Sequence, residues 1–215
     1  MNESDLIPNK LQQAVGLLRE HAIDCWVTFV RETSVTEDPV LSFLCNTSLT
    51  WPSALIVARS GRTIAIVGEL ERRSLEDLAA YETVIGYVEG IRQPLLETLE
   101  ELQPRTIAVN YSQDSEIADG LTHGMYLTLV EYLTEIRMAN RLVSGEVIVS
   151  GLVARKSPTE LELIKQAVRE AEDIFAATHH FIRPGLTERA IADFMLEQVG
   201  NRGLSTAWCS SHCPA

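Results

Sequence analysis

Strand-like and helix-like segments alternate along the first two thirds of the chain, and this alternation is what most constrains the fold. Two apolar runs flank Ser60-Gly61, where glycine can take the positive φ that a tight hairpin turn needs. Strands are predicted at residues 25–30, 54–58, 63–67, 83–88 and 106–111. Helices are predicted at residues 8–22, 74–81, 94–102 and 115–133. The pattern predicts an α/β domain with a mixed β-sheet flanked by helices.

The predicted helix over residues 115–133 is based on apolar residues that recur at helical spacing. They are Ile117, Leu121, Met125, Leu129 and Tyr132. Gly120 and Gly124 lie in the same segment. Because glycine has no side chain to hold backbones apart, we expect this pair to bring the helix close to the sheet. The α/β domain is predicted to end near residue 145.

A second segment, residues 146–215, follows this predicted domain boundary. We expect a short apolar strand at Val147–Val149. A long helix should come next, because Ser157 and Glu160 form a Ser-x-x-Glu capping box with Pro158 at the first helical position. Apolar residues then recur at steps of three and four, which predicts that one side of this helix packs against a core. They are Leu161, Ile164, Val168, Ala171, Phe175, Thr178 and Ile182.

Pro184-Gly185 is predicted to end the long helix, and Thr187 is a good N-cap for a second one. The predicted buried face of this second helix is Ile191, Phe194, Met195 and Val199. Gly200 or Gly203 can supply the left-handed residue that ends it. Two such helices would need a sheet to cover, and the residues after Gly203 are too few to form one. We therefore expect residues 151–215 to be marginally stable alone, and to dock on the first domain or in a dimer.

The charge balance excludes some classes of partner. The 215 residues include 30 Asp and Glu but 18 Lys and Arg, so the net charge is −12. Such a chain repels polyanions, and nucleic acid is a poor candidate partner. No apolar run approaches the roughly 20 residues that span a bilayer, and the N-terminus does not resemble a secretory signal. We expect a cytoplasmic protein that does not bind a membrane.

Four cysteines, at positions 25, 45, 209 and 213, are interpreted as reduced thiols in such a protein. Cys209, His212 and Cys213 could form part of a zinc site, but a closed site needs a fourth ligand. A strand or loop that happens to carry thiols is the favoured alternative. His179 and His180 are interpreted as cationic residues near a helix C-terminus rather than as metal ligands.

Two motifs carry a resemblance to a known family. Residues 154–165, ARKSPTELELIK, followed by residues 183–188, RPGLTE, resemble the opening of the pita-bread catalytic domain in the Xaa-Pro aminopeptidase and prolidase family, which includes creatinase. Residues 1–145 resemble the creatinase-type N-terminal domain of that family. By this resemblance, residues 146–215 are the truncated start of a pita-bread domain.

The resemblance implies a hydrolase that cleaves short proline-containing peptides with two divalent metal ions, which activate water and polarise the scissile carbonyl. The family's metal ligands are two aspartates, a histidine and two glutamates in later strands, and no position here corresponds to them. We therefore expect no catalytic residue, no metal ligand and no cofactor in this chain, which should be inactive alone. A role in oligomerisation, as a homodimer, and in substrate access is expected instead.

The resemblance also suggests where substrate could be met. Trp208 and His212 follow the second helix and are candidate substrate-binding residues; simple packing or solvation is the alternative. The irregular segment from Arg31 to Trp51 could lean over a neighbouring subunit's active site. Two further functions stay open: a non-catalytic module that binds peptides or basic proteins, and a creatinase-like amidinohydrolase, which needs no metal.

Overall fold

The computed structural model describes residues 6–207, which form two compact units that divide between Thr159 and Glu160. The first unit is an α/β domain and the second is a helix pair. The predicted boundary at residue 145 divides the chain by its resemblance to family domains, whereas the two units are defined by their packing. The boundary at residue 145 stays a prediction.

Six strands form one mixed sheet in the first unit. They are β1 Cys25–Val30, β2 Ser53–Ala58, β3 Thr63–Gly68, β4 Thr83–Tyr87, β5 Ile107–Val109 and β6 Leu142–Ser144. Their order across the sheet is β4-β3-β2-β1-β5-β6. Strand β2 runs antiparallel to β1 and β3, and the other neighbouring pairs are parallel. The predicted α/β class and mixed sheet are therefore confirmed.

Helices cover both faces of this sheet, which explains why its central strands are continuously apolar. The helices are α1 Leu6–Glu20, α2 Glu69–Asp77, α3 Arg92–Leu102, α4 His123–Glu135 and α5 Glu146–Ala154. Successive residues of β1 point to opposite faces. Trp26 packs in one core with Leu18 and Leu152. Phe29 lies in the second core, which includes residues of α3 and α4.

The segment before α4 differs from the prediction. The helix begins at His123 rather than near residue 115, and residues 116–118 form a single 3₁₀ turn. Thr122 caps α4, because its hydroxyl accepts a hydrogen bond from Met125 N at 3.4 Å. Ile117, predicted to lie on the buried face, is consequently 47% exposed.

The predicted strand at Val147–Val149 is wrong, since these residues belong to α5. The apolar run is too short to distinguish a strand from a buried helix by its pattern. Packing decides the matter: Ile148, Val149 and Leu152 are buried together with residues of α1. The strand at this sheet edge is β6 instead, at Leu142–Ser144.

The second unit contains α7, Glu188–Asn201, and all but the first two residues of α6, Pro158–Phe181. Gly185 has a φ of 96°. The Thr187 hydroxyl caps α7 by accepting a hydrogen bond from Ala190 N at 3.1 Å. The predicted break between the two helices and the predicted N-cap are therefore confirmed. Phe181 and Phe194 stack with ring centroids 4.1 Å apart. Arg202 forms an ion pair with Glu170 at 3.1 Å.

Most of the apolar stripe predicted on α6 is exposed. The exposed members are Leu161, Ile164, Val168, Ala171, Phe175 and Ile182. Thr178 is buried, as is Ile174, which the prediction had not included. The predicted face of α7 is only half-buried. A pair of helices cannot cover both apolar stripes without a further layer. The marginal stability expected for this segment stays a prediction.

Candidate functional site at the carboxyl edge of the sheet

The carboxyl ends of five strands lie along one edge of the sheet, because β2 is the single strand among these six that runs in the opposite direction. Ligands of α/β proteins commonly bind at this edge. The segment of residues 31–52 follows β1 here, and residues 110–122 follow β5. These two segments form the candidate site.

A buried network of polar side chains joins the two segments to the sheet. Asn110, directly after β5, accepts a hydrogen bond from Trp26 Nε1 at its Oδ1, at 2.6 Å. Its Nδ2 donates to Thr28 Oγ1 at 3.2 Å and to Asp38 Oδ2 at 2.8 Å. The Asn110 amide therefore connects two side chains of β1 with a loop residue.

Asp38 is the charged member of this network. Its side chain is 1% exposed, and Oδ1 accepts a hydrogen bond from Val40 N at 3.1 Å. Burial raises the pKa of this carboxyl above its usual range, although the hydrogen bonds from Asn110 and Val40 oppose the shift. Asp38 makes no ion pair with another residue of the described range 6–207, so its partners there are neutral donors.

Gly120 lies directly against Asp38. A Cβ at this position would overlap the Asp38 carboxylate, whereas a Cβ at Gly124 would meet nothing within 4 Å. The prediction that both glycines bring a helix close to the sheet is therefore wrong. Gly120 precedes α4 and allows a loop aspartate to approach, and Gly124 lies in an open position within α4.

The segment of residues 31–52 is irregular, as predicted, but most of it is anchored. Backbone hydrogen bonds from Glu32 N to Thr50 O, at 3.1 Å, and from Thr33 N to Leu49 O, at 2.9 Å, hold its two ends together. Its buried apolar residues are Val40, Leu41, Leu44, Cys45 and Leu49. The longest continuously exposed stretch is the tip at residues 34–37, with Val35 81% exposed.

A small cavity of about 200 Å³ lies between this tip and the start of α4. Phe29 forms part of its wall, and Arg31 and Glu32 place opposite charges on it. Sites for small molecules usually enclose about 300–1,000 Å³. The cavity is therefore large enough for one side chain of a ligand rather than for a whole ligand.

No protein-family model matches the sequence, and no curated protein matches it. Forty-two chains of solved structures do match. Dipeptidase PepE from Mycobacterium ulcerans has a TM-score of 0.63 at 18% identity, over 94% of this chain and 51% of its own. The Xaa-Pro dipeptidase from Bacillus anthracis has a TM-score of 0.60 at 16% identity, over 91% of this chain and 49% of its own. The X-Pro aminopeptidase from Thermotoga maritima has a TM-score of 0.58 at 19% identity, over 90% of this chain and 49% of its own.

The chain shares the fold of Xaa-Pro peptidases. It spans about half the length of these structures. This likeness agrees with the resemblance carried by residues 154–165 and 183–188.

Within the Xaa-Pro peptidase fold, the predicted substrate-binding residues Trp208 and His212 lie outside the described residues, as do Cys209 and Cys213. Their roles stay predictions. His179 and His180 lie in the last turn of α6, as expected, with ring centroids 5.6 Å apart.

The described residues offer no fit for a pair of divalent ions. Between residues 6 and 207, no group of three or more His, Cys, Asp or Glu side chains could hold a metal ion. The thiols of Cys25 and Cys45 are free and buried, and burial raises their pKa to about 12 and about 11. Both are therefore neutral thiols near pH 7. No helix of the described range is long and apolar enough to cross a membrane.

The sequence interpretation missed Asp38, Asn110 and Gly120 as the residues that organise this edge. Asp38 and Asn110 are separated by 72 positions, so no local motif contains both. A weak signal exists in hindsight, because Asn110 directly follows an apolar strand pattern. A polar side chain at that place is often a buried hydrogen-bonding residue or part of a site.

Proposed function

We propose that this chain is the part of an Xaa-Pro peptidase that shapes substrate access and subunit assembly, without the catalytic metal centre. The observation that carries the proposal is the shared fold with Xaa-Pro dipeptidases and aminopeptidases over about 90% of the chain. In the complete protein, two divalent ions would supply the water activation for hydrolysis of short proline-containing peptides.

The architecture of the carboxyl edge supports a role in access. The Asp38–Asn110 network fixes the base of the loop, while residues 34–37 project from it with their side chains exposed. A fixed base with an exposed tip suits a loop that limits the size of a peptide rather than one that closes by refolding. The proposed peptide contact is at this tip and the cavity beside it.

Assembly as a homodimer is the second part of the proposal. The exposed apolar residues of α6, among them Leu161, Val168 and Phe175, form a surface with Ile182 just after the helix that a monomer would leave in water. Burial of this stripe between two subunits would remove that cost. The proposal places the protein in the cytoplasm, and it retains Trp208 and His212 as substrate-binding residues.

Two experiments test the proposal. Chain 1–215, supplied with Mn²⁺ or Co²⁺, should not cleave an Xaa-Pro dipeptide or an Xaa-Pro-Yaa tripeptide. Hydrolysis by the pure chain would contradict the absence of a catalytic centre. The second test is the reading frame downstream of Ala215. It should encode two aspartates, a histidine and two glutamates in that order, and a frame without them would overturn the peptidase assignment.

The dimer has its own test, by sedimentation velocity at several protein concentrations. Leu161→Gln together with Phe175→Gln should weaken self-association, because both side chains are exposed on α6. A monomer at every concentration, with no binding of a hydrophobic dye, would remove this part of the proposal and leave the peptidase assignment untouched.

A further inference from the structure

The amino edge of the sheet, opposite the candidate site, carries a cleft lined by arginines. Its volume is about 910 Å³, which is enough for a small molecule. Arg19, Arg59 and Arg105 line it, and Asp24 is its single acidic lining residue. Three arginines against one aspartate give the lining a formal charge of +2, within a chain whose net charge is −12.

Hydrogen bonds connect the three arginine residues to one another. Asp24 Oδ1 pairs with Arg59 Nη2 at 2.7 Å, and Asp24 Oδ2 accepts from the backbone N of Arg105 at 2.9 Å. Arg19 Nε donates to the backbone O of Arg59 at 3.1 Å. The cleft is therefore a built arrangement, in which one aspartate fixes an arginine side chain and the backbone of another arginine.

Most of the guanidinium N–H groups in the cleft are unused by the described residues. Arg105 makes no side-chain hydrogen bond or ion pair within residues 6–207, and Arg19 makes no ion pair there. By contrast, Arg62 and Arg92 each face a carboxylate, of Glu101 and Glu135 respectively. The free donors of Arg19 and Arg105 are thus available to a ligand.

Helix ends oppose this positive charge only in part. Helices α1 and α3 end at Glu20 and Leu102, next to the cleft. Each helix C-terminus acts as roughly half a negative charge. Two such ends would lower the formal charge of +2 to about +1. The cleft therefore stays positive, and guanidinium groups match pairs of anionic oxygens in geometry.

We propose that this cleft binds a small multivalent oxyanion, held by Arg19 and Arg105 and supported by Arg59. The shared chemistry of the ligand is a cluster of anionic oxygens, which either phosphate groups or several carboxylates can provide. Because the cleft lies at the other edge of the sheet from the loop tip, the inference does not rest on the proposed peptidase function.

The test is a titration of ¹⁵N-labelled chain 1–215 with inorganic pyrophosphate and, separately, with citrate at low ionic strength. Saturable amide shifts should appear at residues 19–24, 58–61, 103, 105 and 106. Arg105→Gln should weaken binding about tenfold, the effect of losing a charge-assisted contact. Arg105→Lys should retain part of the affinity, because the charge stays while the forked geometry is lost.

Arg73→Gln is the matched control, since it removes the same charge from an exposed site on α2, where Arg73 faces Asp77. Its affinity should be unchanged. Tighter binding of pyrophosphate would identify a phosphate ligand, and tighter binding of citrate a carboxylate ligand; both support the site. The proposal is overturned by the absence of saturation with both probes, by shifts confined to other residues, or by equal losses in Arg73→Gln and Arg105→Gln.

Discussion

The two edges of the sheet are each organised by an aspartate, and the two aspartates have opposite surroundings. At the carboxyl edge, Asp38 is 1% exposed and accepts hydrogen bonds from two neutral donors, Asn110 Nδ2 and Val40 N. At the amino edge, the Asp24 side chain is 18% exposed and faces the Arg59 guanidinium. The surroundings of Asp38 are buried and its partners are neutral, whereas Asp24 is partly exposed and its partner is cationic.

This difference separates two roles within a single sheet. A polar group that loses its partner in the dry network cannot turn to water, so the carboxyl edge should dominate stability. At the amino edge, water can replace a lost partner, so substitutions there should affect ligand binding more than folding. Graded substitutions at the two edges test this distinction.

Asn110→Ala should have the largest effect. The change leaves Trp26 Nε1 and Asp38 Oδ2 without the partners that Asn110 supplies. Each unsatisfied buried group costs about 1–3 kcal/mol, so the free energy of unfolding should fall by roughly 2–6 kcal/mol. Urea unfolding followed by tryptophan fluorescence measures this. Asn46→Ala, at an exposed loop position, is the control, and a similar small loss in both variants would show that the network is not stabilising.

Gly120→Ala should have the next largest effect on stability. The added methyl group overlaps the Asp38 carboxylate, so the loop or α4 must move, at a cost of about 1–3 kcal/mol. Gly124→Ala is the matched control four residues later, because its Cβ enters open space. There alanine should stabilise α4 by roughly 0.5–1 kcal/mol. Thermal unfolding of both variants gives the comparison, and equal shifts in the same direction would refute the close contact with Asp38.

The pH dependence of stability provides a third test. The pKa of Asp38 is raised in the folded protein, so folding favours its protonated form. The stability that this proton contributes is fully present below the unfolded pKa, near 3.8, and is lost as the pH rises through the folded pKa. Wild-type protein should therefore lose stability relative to Asp38→Asn across that interval. Urea unfolding at a series of pH values measures the difference.

Glu20 provides an internal contrast of sign for that measurement. The hydrogen bond from Arg155 lowers the pKa of Glu20. Its contribution is present above pH 4.5, the usual pKa, and is lost as the pH falls through the folded pKa. The wild type should thus lose stability relative to Glu20→Gln on acidification. Identical pH profiles for Asp38→Asn and Glu20→Gln would contradict the assigned environment of Asp38.

Local patterns predicted the sheet well, because its strands are apolar runs separated by clear turns, such as the one at Gly61 with a φ of 108°. Local patterns failed where contacts between distant segments determine the structure. The run Val147–Val149 lies in helix α5, whose buried residues pack with those of α1. No local signal in the sequence indicates this packing. The Asp38–Asn110 network and the arginine cleft are likewise assembled from distant segments. The sequence therefore predicted the framework but neither of the polar clusters at its edges.

Asp24→Asn should have the smallest effect on stability, although it removes an ion pair with a short N–O distance. The carboxylate bonds to the Arg59 side chain and the Arg105 backbone, and an asparagine oxygen can still accept one of these bonds. Partly exposed ion pairs contribute about 0.2–1 kcal/mol, so the unfolding free energy should fall within that range. The difference between variant and wild type should shrink with added salt, because screening weakens the pair. Urea unfolding at low and high salt checks both points. A loss as large as that of Asn110→Ala, or one independent of salt, would show that the amino edge is as dry as the carboxyl edge.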